Sequence, residues 1–411
     1  MRMSLKFKFL PLLFLYAFFI FLRSPAILEG DESRYVTHAQ NLSRGYFSPP
    51  DASELKSGPG YPVALLPVVL LRLPWLMGRM LNALFLFLAV LYFFSTLRLY
   101  IQERLAFSLS YLFGLYPFFL KYIHLMYSET FTLFLICGFL FHFCKTYADG
   151  ARSWLQGLAA ALYLGCSALT KVFFGYVILV GLLFYSMLTL WRKTQALRKV
   201  SLIYLGALLF CVPYLLYTYS LTGKVFYWAI YGGSNLYWMT TPYEEELGDW
   251  RGGGVGHLQQ SGTPQLMAHH GRFFEELTPL SPVEWDARLK AQALENIYHH
   301  PGKFIKNWVC NVGRMLFNYP YSYTPQRMGT LFNIWINMFI VVFSILCVYP
   351  SYAVREKMPF EIFALLFFGI ISFFGSSLLA AYERHFRVLV PIFALWIAVT
   401  FTRLMKIRVL R

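Results

Sequence analysis

The chain has 411 residues, of which 58% are apolar, 14% charged and 19% aromatic, with a formal net charge of +16. Soluble domains run near 45–50% apolar and about 25% charged, so the composition excludes an ordinary soluble enzyme and points to a polytopic membrane protein. The positive balance alone would suit a nucleic-acid binder, but no basic recognition module or compact soluble domain is there to carry one; cytoplasmic loops and anionic lipid account for it.

The first apolar segment, 7–22, has the basic flank Arg2, Lys6 and Lys8 and lacks a small-residue cleavage site, so it reads as an uncleaved anchor. Further spans of roughly 17–25 apolar residues are predicted at 76–97, 105–120, 126–144, 154–170, 173–190, 201–220, 330–349, 359–380 and 387–404. The stretch 61–73 is short and proline-rich, and the positive-inside rule decides its fate. If it stays on the outer face, Arg98/Arg104, Lys145/Arg152, the run Arg192, Lys193, Arg198, Lys199, then Arg355/Lys357 and the tail Lys406, Arg408, Arg411 all fall on the cytoplasmic side. The expectation is therefore an all-α integral membrane protein of about ten spans with both termini inside. It divides into a membrane module over 1–220, whose first outer loop is 23–75, an outer loop region over 221–329, and C-terminal spans over 330–411. Within the larger loop, Ser281-Pro282-Val283-Glu284 has the form of a capping box and predicts a helix to about Tyr298, with a second amphipathic piece over 303–317 after Pro301. The cysteines show no metal-knuckle spacing and read as free thiols.

That topology gathers polar residues at the outer face: Asp31, Glu32, Lys56, Arg79, His124, Glu129, Lys171 and the cluster Glu383-Arg384-His385-Phe386-Arg387. Ionisable groups at membrane depth are expensive and mark function. Carboxylates can take a proton from an attacking hydroxyl, and cations can hold a departing phosphate. Each residue also has a purely structural reading. The pair Asp31-Glu32 can mark a helix N-terminus, Lys171 can snorkel to the interface, Arg384 and Arg387 can bind any anionic headgroup, and Glu129 can be a first-turn carboxylate. The pairs His269-His270 and His299-His300 invite a metal, but neighbouring histidines point in different directions on regular backbone, and no metal is expected there. The glycine run 252–256 lacks the context of a phosphate loop and reads as a flexible loop.

The segments Gly30-Asp31-Glu32-Ser33-Arg34-Tyr35 and Gly58-Pro59-Gly60-Tyr61-Pro62 resemble the first outer loop of the polyprenyl-phosphate-sugar-dependent glycosyltransferases. These include protein O-mannosyltransferases and the aminoarabinose transferase of lipid A (glycosyltransferase families 39 and 83), which share the membrane fold called GT-C. Residues 73–82 with Arg79, Tyr116-Pro117, Tyr127-Ser128-Glu129, 165–171, 293–301 and 383–391 are similar to further pieces of that family. The resemblance implies a GT-C bundle that moves one sugar from a polyprenyl monophosphate to a lipid, glycan or protein acceptor on the outer face of a cell membrane, the bacterial inner membrane being expected. In it Asp31 is the base and Glu32 its close support. Lys171, Arg384 and Arg387 hold the donor phosphate, with Lys56, Arg79, Glu129 and His385 as further binding residues. No cofactor is required by this reading, although a divalent cation is compatible with Asp31 and Glu32. A ligase acting on a lipid diphosphate, or a transporter of lipid-linked sugar, are the alternatives; nucleic acid is not an expected partner.

Overall fold

The computed structural model describes residues 5–148, 150 and 152–404; Arg2 and the basic tail at 406–411 lie outside them. The first half runs α1 (Leu10–Arg23), α2 (Glu32–Ser43), α3 (Gly60–Leu70), α4 (Trp75–Leu97), α5 (Glu103–Gly114), α6 (Pro117–Leu120), α7 (Ser128–Ala148), α8 (Ser153–Thr170), α9 (Phe173–Arg192) and α10 (Gln195–Thr222). The outer loop region folds as α11 (Gly232–Met239), α12 (Val255–Gln260), α13 (Pro264–Leu277), α14 (Pro282–His299) and α15 (Pro301–Phe317). The chain closes with α16 (Met328–Ala353), α17 (Phe360–Ser377), α18 (Glu383–Arg387) and α19 (Val390–Val399). There is no strand among the described residues.

Among the described residues six helices are long and apolar enough to cross a membrane: α4, α7, α9, α10, α16 and α17. The remaining four expected spans also fold as helices, α1, α5, α8 and α19, of 14, 12, 18 and 10 residues. In the bundle α7 packs on α8 and α4, and α10 packs on α8 and α9. Small residues let packed helices seat closely, which matters where lipid supplies no hydrophobic drive: the Tyr204 ring rests on Gly181 and the Tyr163 ring on Gly138. The 61–73 stretch forms α3, which lies against α2 and the end of α8.

The outer region has a core of its own, built on Tyr237, Trp238, Leu258, Leu266, Phe274, Leu277 and Leu289. The capping box is present: Ser281 Oγ accepts from the Glu284 backbone N–H, and the Ser281 N–H donates to Glu284 Oε2 at 3.1 Å. The glycine run leads into α12, and Trp238 Nε1 donates to the Gly252 carbonyl at 2.7 Å. Asp286 on α14 accepts from the N–H of Gly233 at 2.7 Å and from Tyr227, which ties α14 to the start of α11. Burial outweighs these donors and pushes its carboxyl up to about 6.

Two interactions make stability testable. Glu32 and Arg79 are buried together, with Arg79 Nε donating to Glu32 Oε1 at 2.8 Å and Nη2 to Oε2 at 2.9 Å. Removing one partner strands the other charge, which costs about 3–5 kcal/mol. Thermal melting in detergent is expected to show Glu32→Ala and Arg79→Ala each more destabilising than the double variant. For Asp286, a folded-state pKa above the unfolded one means its contribution is fully present below the unfolded value and is lost as pH rises through about 6. The swing is about 3 kcal/mol, so melting curves of the wild type should decline between pH 4 and 6 relative to Asp286→Asn.

Candidate active site

Asp31 and Glu32 part company at the start of α2. Asp31 occupies the N-cap position and Glu32 the first helical residue, so successive side chains leave the axis about 100° apart. Glu32 turns inward and is fully buried. Besides Arg79, its Oε1 accepts from the Met126 N–H and its Oε2 from the Glu29 N–H, both at 2.8 Å. Arg79 in turn donates to the carbonyls of Pro25 and Ile27. Glu32 and Arg79 therefore fix the loop between α1 and α2, and neither lines the cavity. The structure thus does not bring Glu32, the expected support, or Arg79, an expected binding residue, to the cavity: every good acceptor position of Glu32 is filled by the fold.

Asp31 turns the other way, into a cavity of about 640 Å³. Its Oδ2 accepts from Arg384 Nη1 at 2.8 Å and its Oδ1 faces Arg34 Nη2 at 3.1 Å. Behind the wall, Glu129 in the first turn of α7 accepts from Lys171 Nζ at 2.6 Å and faces Arg384 Nε at 3.6 Å. The result is an alternating chain, Arg34–Asp31–Arg384–Glu129–Lys171, assembled from residues up to 353 positions apart. Four cations line the cavity, Arg34, Lys56, Lys171 and Arg384, against the carboxylates Asp31 and Glu383. Glu383 is already neutralised by Lys121 and Arg387, at 2.8 and 2.7 Å. Lys56 has no carboxylate partner among the described residues and sits 5.7 Å from the Tyr231 ring. The cavity thus carries an uncompensated positive charge, and an anion is its electrostatic complement.

Burial opposes ionisation throughout, and local charge decides the outcome. Burial would depress Arg384, but Glu129 and Asp31 hold its pKa above the ordinary value. His385, with no carboxylate in contact, is pushed down to about 3 by burial, Lys171 and Arg384, so it lines the cavity as a neutral ring. Its Nδ1 and Ser57 Oγ are buried cavity-side atoms without a protein hydrogen-bond partner among the described residues. Aromatic side chains, among them Tyr35, Tyr127, Phe173, Trp228, Trp250 and Tyr382, supply the remaining wall.

Two glycines set the fit. Gly30 has φ +56°, and a Cβ there would lie 2.2 Å from Tyr127 Oη. At Gly58 a Cβ would lie 2.0 Å from the Leu169 carbonyl, so the Gly58-Pro59-Gly60 turn presses flush on the end of α8 and fixes the backbone that carries Lys171.

Of the expected residues, Asp31, Lys56, Lys171, Arg384 and His385 meet at the cavity. Arg387 does not; its guanidinium donates to Glu383 and to the Phe118 carbonyl at 3.0 Å, behind the wall. Glu129 likewise stands one layer back and positions the cations. Arg34 was missed as a site residue, although its i, i+3 spacing from Asp31 on a helix is a readable signal. The wall residues Trp250 and His257 come from the outer region and carry no local signal. His124 lies outside the lining, and burial followed by Arg23 lowers its pKa.

No protein-family model and no curated protein matches the sequence. Solved structures do. The apo oligosaccharyltransferase of Archaeoglobus fulgidus superposes with a TM-score of 0.55 over 95% of this chain and 50% of its own, at 13% identity. The oligosaccharyltransferase AglB from the same organism, in complex with an inhibitory peptide and a dolichol-phosphate, gives 0.53 over 97% and 50%, at 15% identity. ArnT from Cupriavidus metallidurans bound to undecaprenyl phosphate gives 0.41 over 96% and 77%, at 13% identity. The chain has the GT-C fold and spans about half the length of the archaeal oligosaccharyltransferase.

The tight seat of Gly30 makes a clean perturbation. The left-handed backbone alone costs a non-glycine residue about 1–2 kcal/mol, and the Tyr127 clash moves Asp31. Gly30→Ala is expected to melt within a few degrees of the wild type yet lose ligand binding or turnover at the cavity; unchanged function would show that the position of Asp31 is uncritical.

Proposed function

We propose that the protein is an integral-membrane glycosyltransferase that moves a single sugar from a polyprenyl monophosphate to a hydroxyl acceptor, with inversion, on the outer side of a cell membrane. The observation that carries this reading is the cavity's composition: Asp31 set among four cations, with the other lining carboxylate, Glu383, tied to Lys121 and Arg387, at the end of a membrane bundle. A lipid phosphate brings the negative charge that the cavity complements, and its prenyl chain remains in the bilayer beside the spanning helices. The GT-C fold is consistent with this chemistry and does not by itself identify donor or acceptor.

The chemistry follows from the ion-pair chain. Lys56, Lys171 and Arg384 can take the phosphate oxygens, arginine with two parallel donors. When Arg384 turns toward the phosphate, Asp31 Oδ2 becomes free to accept the acceptor's hydroxyl proton. The acceptor oxygen then attacks the anomeric carbon from the face opposite the phosphate, the C–O bond to phosphate breaks, and the same cations stabilise the dianion that leaves. Glu129 keeps Lys171 and Arg384 apart and aimed while the charge moves. Aromatic walls suit a sugar ring, which offers an apolar face to stack on an aromatic one.

The proposed reaction needs no divalent cation. Asp31 and Glu129 are already matched by guanidinium and ammonium groups, and Glu32 is spent on Arg79. The outward orientation rests on α7 and α9, which start at the cavity and end near Lys145 and Arg192, the basic loops expected inside. A bacterial inner membrane is the expected setting.

The test is turnover by the purified full chain with a panel of polyprenyl-phosphate sugars and simple acceptors, release of polyprenyl phosphate being the readout. Asp31→Asn is expected to lower kcat about 10²–10⁴-fold while donor binding persists. Turnover undiminished in Asp31→Asn would misplace the base; donor binding without turnover in either protein would favour transport.

A further inference from the structure

The outer region holds a cluster that the cavity does not use. Glu246, in the segment joining α11 to α12, meets two consecutive histidines of α13. Its Oε1 lies 2.9 Å from His269 Nδ1, and His270 Nε2 lies 3.0 and 2.9 Å from its two oxygens. Adjacent histidines diverge on a helix, yet here one presents Nδ1 and the other Nε2, and the difference in reach brings both to one point. All three ligand atoms lie within 4.8 Å of one another. Glu246 and His270 are buried, while His269 keeps 23% of its side chain exposed.

We propose that Glu246, His269 and His270 bind a divalent transition-metal ion of the zinc class, with water as the fourth ligand. One carboxylate with two imidazoles is a donor set that suits such an ion. Tetrahedral coordination at about 2.0–2.1 Å places ligand atoms roughly 3.3 Å apart, so the two spacings from Glu246 to the histidines need to open by only a few tenths of an ångström, and the histidine nitrogens already lie within 4.8 Å of each other. The surroundings already orient the ligands. Tyr237 Oη lies 2.8 Å from His270 Nδ1 and accepts a hydrogen bond from Nδ1–H once Nε2 ligates the ion. His269 stacks on Tyr243 with centroids 3.7 Å apart and planes 8° from parallel, and its Nε2 is left to carry the proton. Thr241 donates to Glu246 Oε2, and Tyr323 Oη donates to Oε1 at 3.2 Å. Lys303 donates to the Glu246 backbone carbonyl and to Asn307, away from the carboxylate. Binding exchanges the two imidazole N–H bonds to Glu246 for metal bonds and moves each proton to the other ring nitrogen.

The ion would clamp the 240–254 segment to α13. Trp250, four residues beyond Glu246, lines the reaction cavity, so the clamp holds part of that wall without touching substrate. The site stands independently of the reaction proposed for the cavity.

The experiment uses the full chain in detergent, freed of any polyhistidine tag, stripped with chelator and reloaded with Zn²⁺ or Co²⁺. One equivalent retained through gel filtration, the intense visible absorption of four-coordinate Co²⁺, and a melting temperature raised by several degrees are expected. His269→Ala, chosen because that side chain is partly exposed, should weaken metal binding by more than about 100-fold while its metal-free melting temperature stays at the wild-type value. His269→Cys should restore the ion with a sulfur-to-cobalt charge-transfer band, and His299→Ala should leave it intact. Absence of a retained equivalent, a Co²⁺ spectrum like that of the aqueous ion, or equal binding in His269→Ala would each overturn the proposal.

Discussion

The buried contact between Glu32 and Arg79 is the constraint on which the site depends. Two adjacent carboxylates at a helix start cannot both face the same way, so satisfying one determines where the other points. Glu32 is held by Arg79 and two backbone donors, which pins the α1–α2 loop and rotates Asp31 outward. A buried ion pair of this kind adds little net stability compared with an apolar pair. What it provides is a unique register: with Glu32 fixed, Asp31 has one direction left, toward Arg384.

From that point the cavity is organised by charge alternation. Asp31 and Glu129 separate cations that would otherwise repel one another, and the neutral His385 adds a polar edge without adding charge. The surplus falls on Lys56 and on the cations that a phosphate can share. In the proposed function such a site is poised: its carboxylates are paired without ligand, and an internal partner would exchange for an incoming phosphate at little electrostatic cost. The same exchange would couple donor arrival to the availability of Asp31 as a base.

Much of this was legible in the sequence because membrane depth restricts charge. Apolar runs located the spanning helices, and the rarity of ionisable groups beside them singled out Asp31, Lys171 and Arg384. Local grammar worked where it was strong, as at Ser281–Glu284, whose capping box starts α14. It failed where direction mattered more than identity. Nothing in the order Asp31-Glu32 says which carboxylate turns inward, and Arg384 and Arg387, three apart on a short helix, differ in that one faces the cavity and the other Glu383. The histidines at 269 and 270 show a related limit: a rule about diverging side chains neglects that imidazole has two nitrogen atoms at different reach, and both rings meet Glu246. The Trp250 wall is a product of tertiary packing and has no local signature.

The central claim is that Lys171 and Arg384 are a phosphate site facing Asp31. The most direct measurement is phosphorus NMR of a short-chain polyprenyl monophosphate titrated with the detergent-solubilised protein. Expected are saturable binding to the wild type, equal or tighter binding to Asp31→Asn, which removes a competitor for Arg384, and loss of binding in Lys171→Gln/Arg384→Gln made together with Glu129→Gln, so that no buried carboxylate is stranded. Unchanged affinity in that triple variant would contradict the phosphate site.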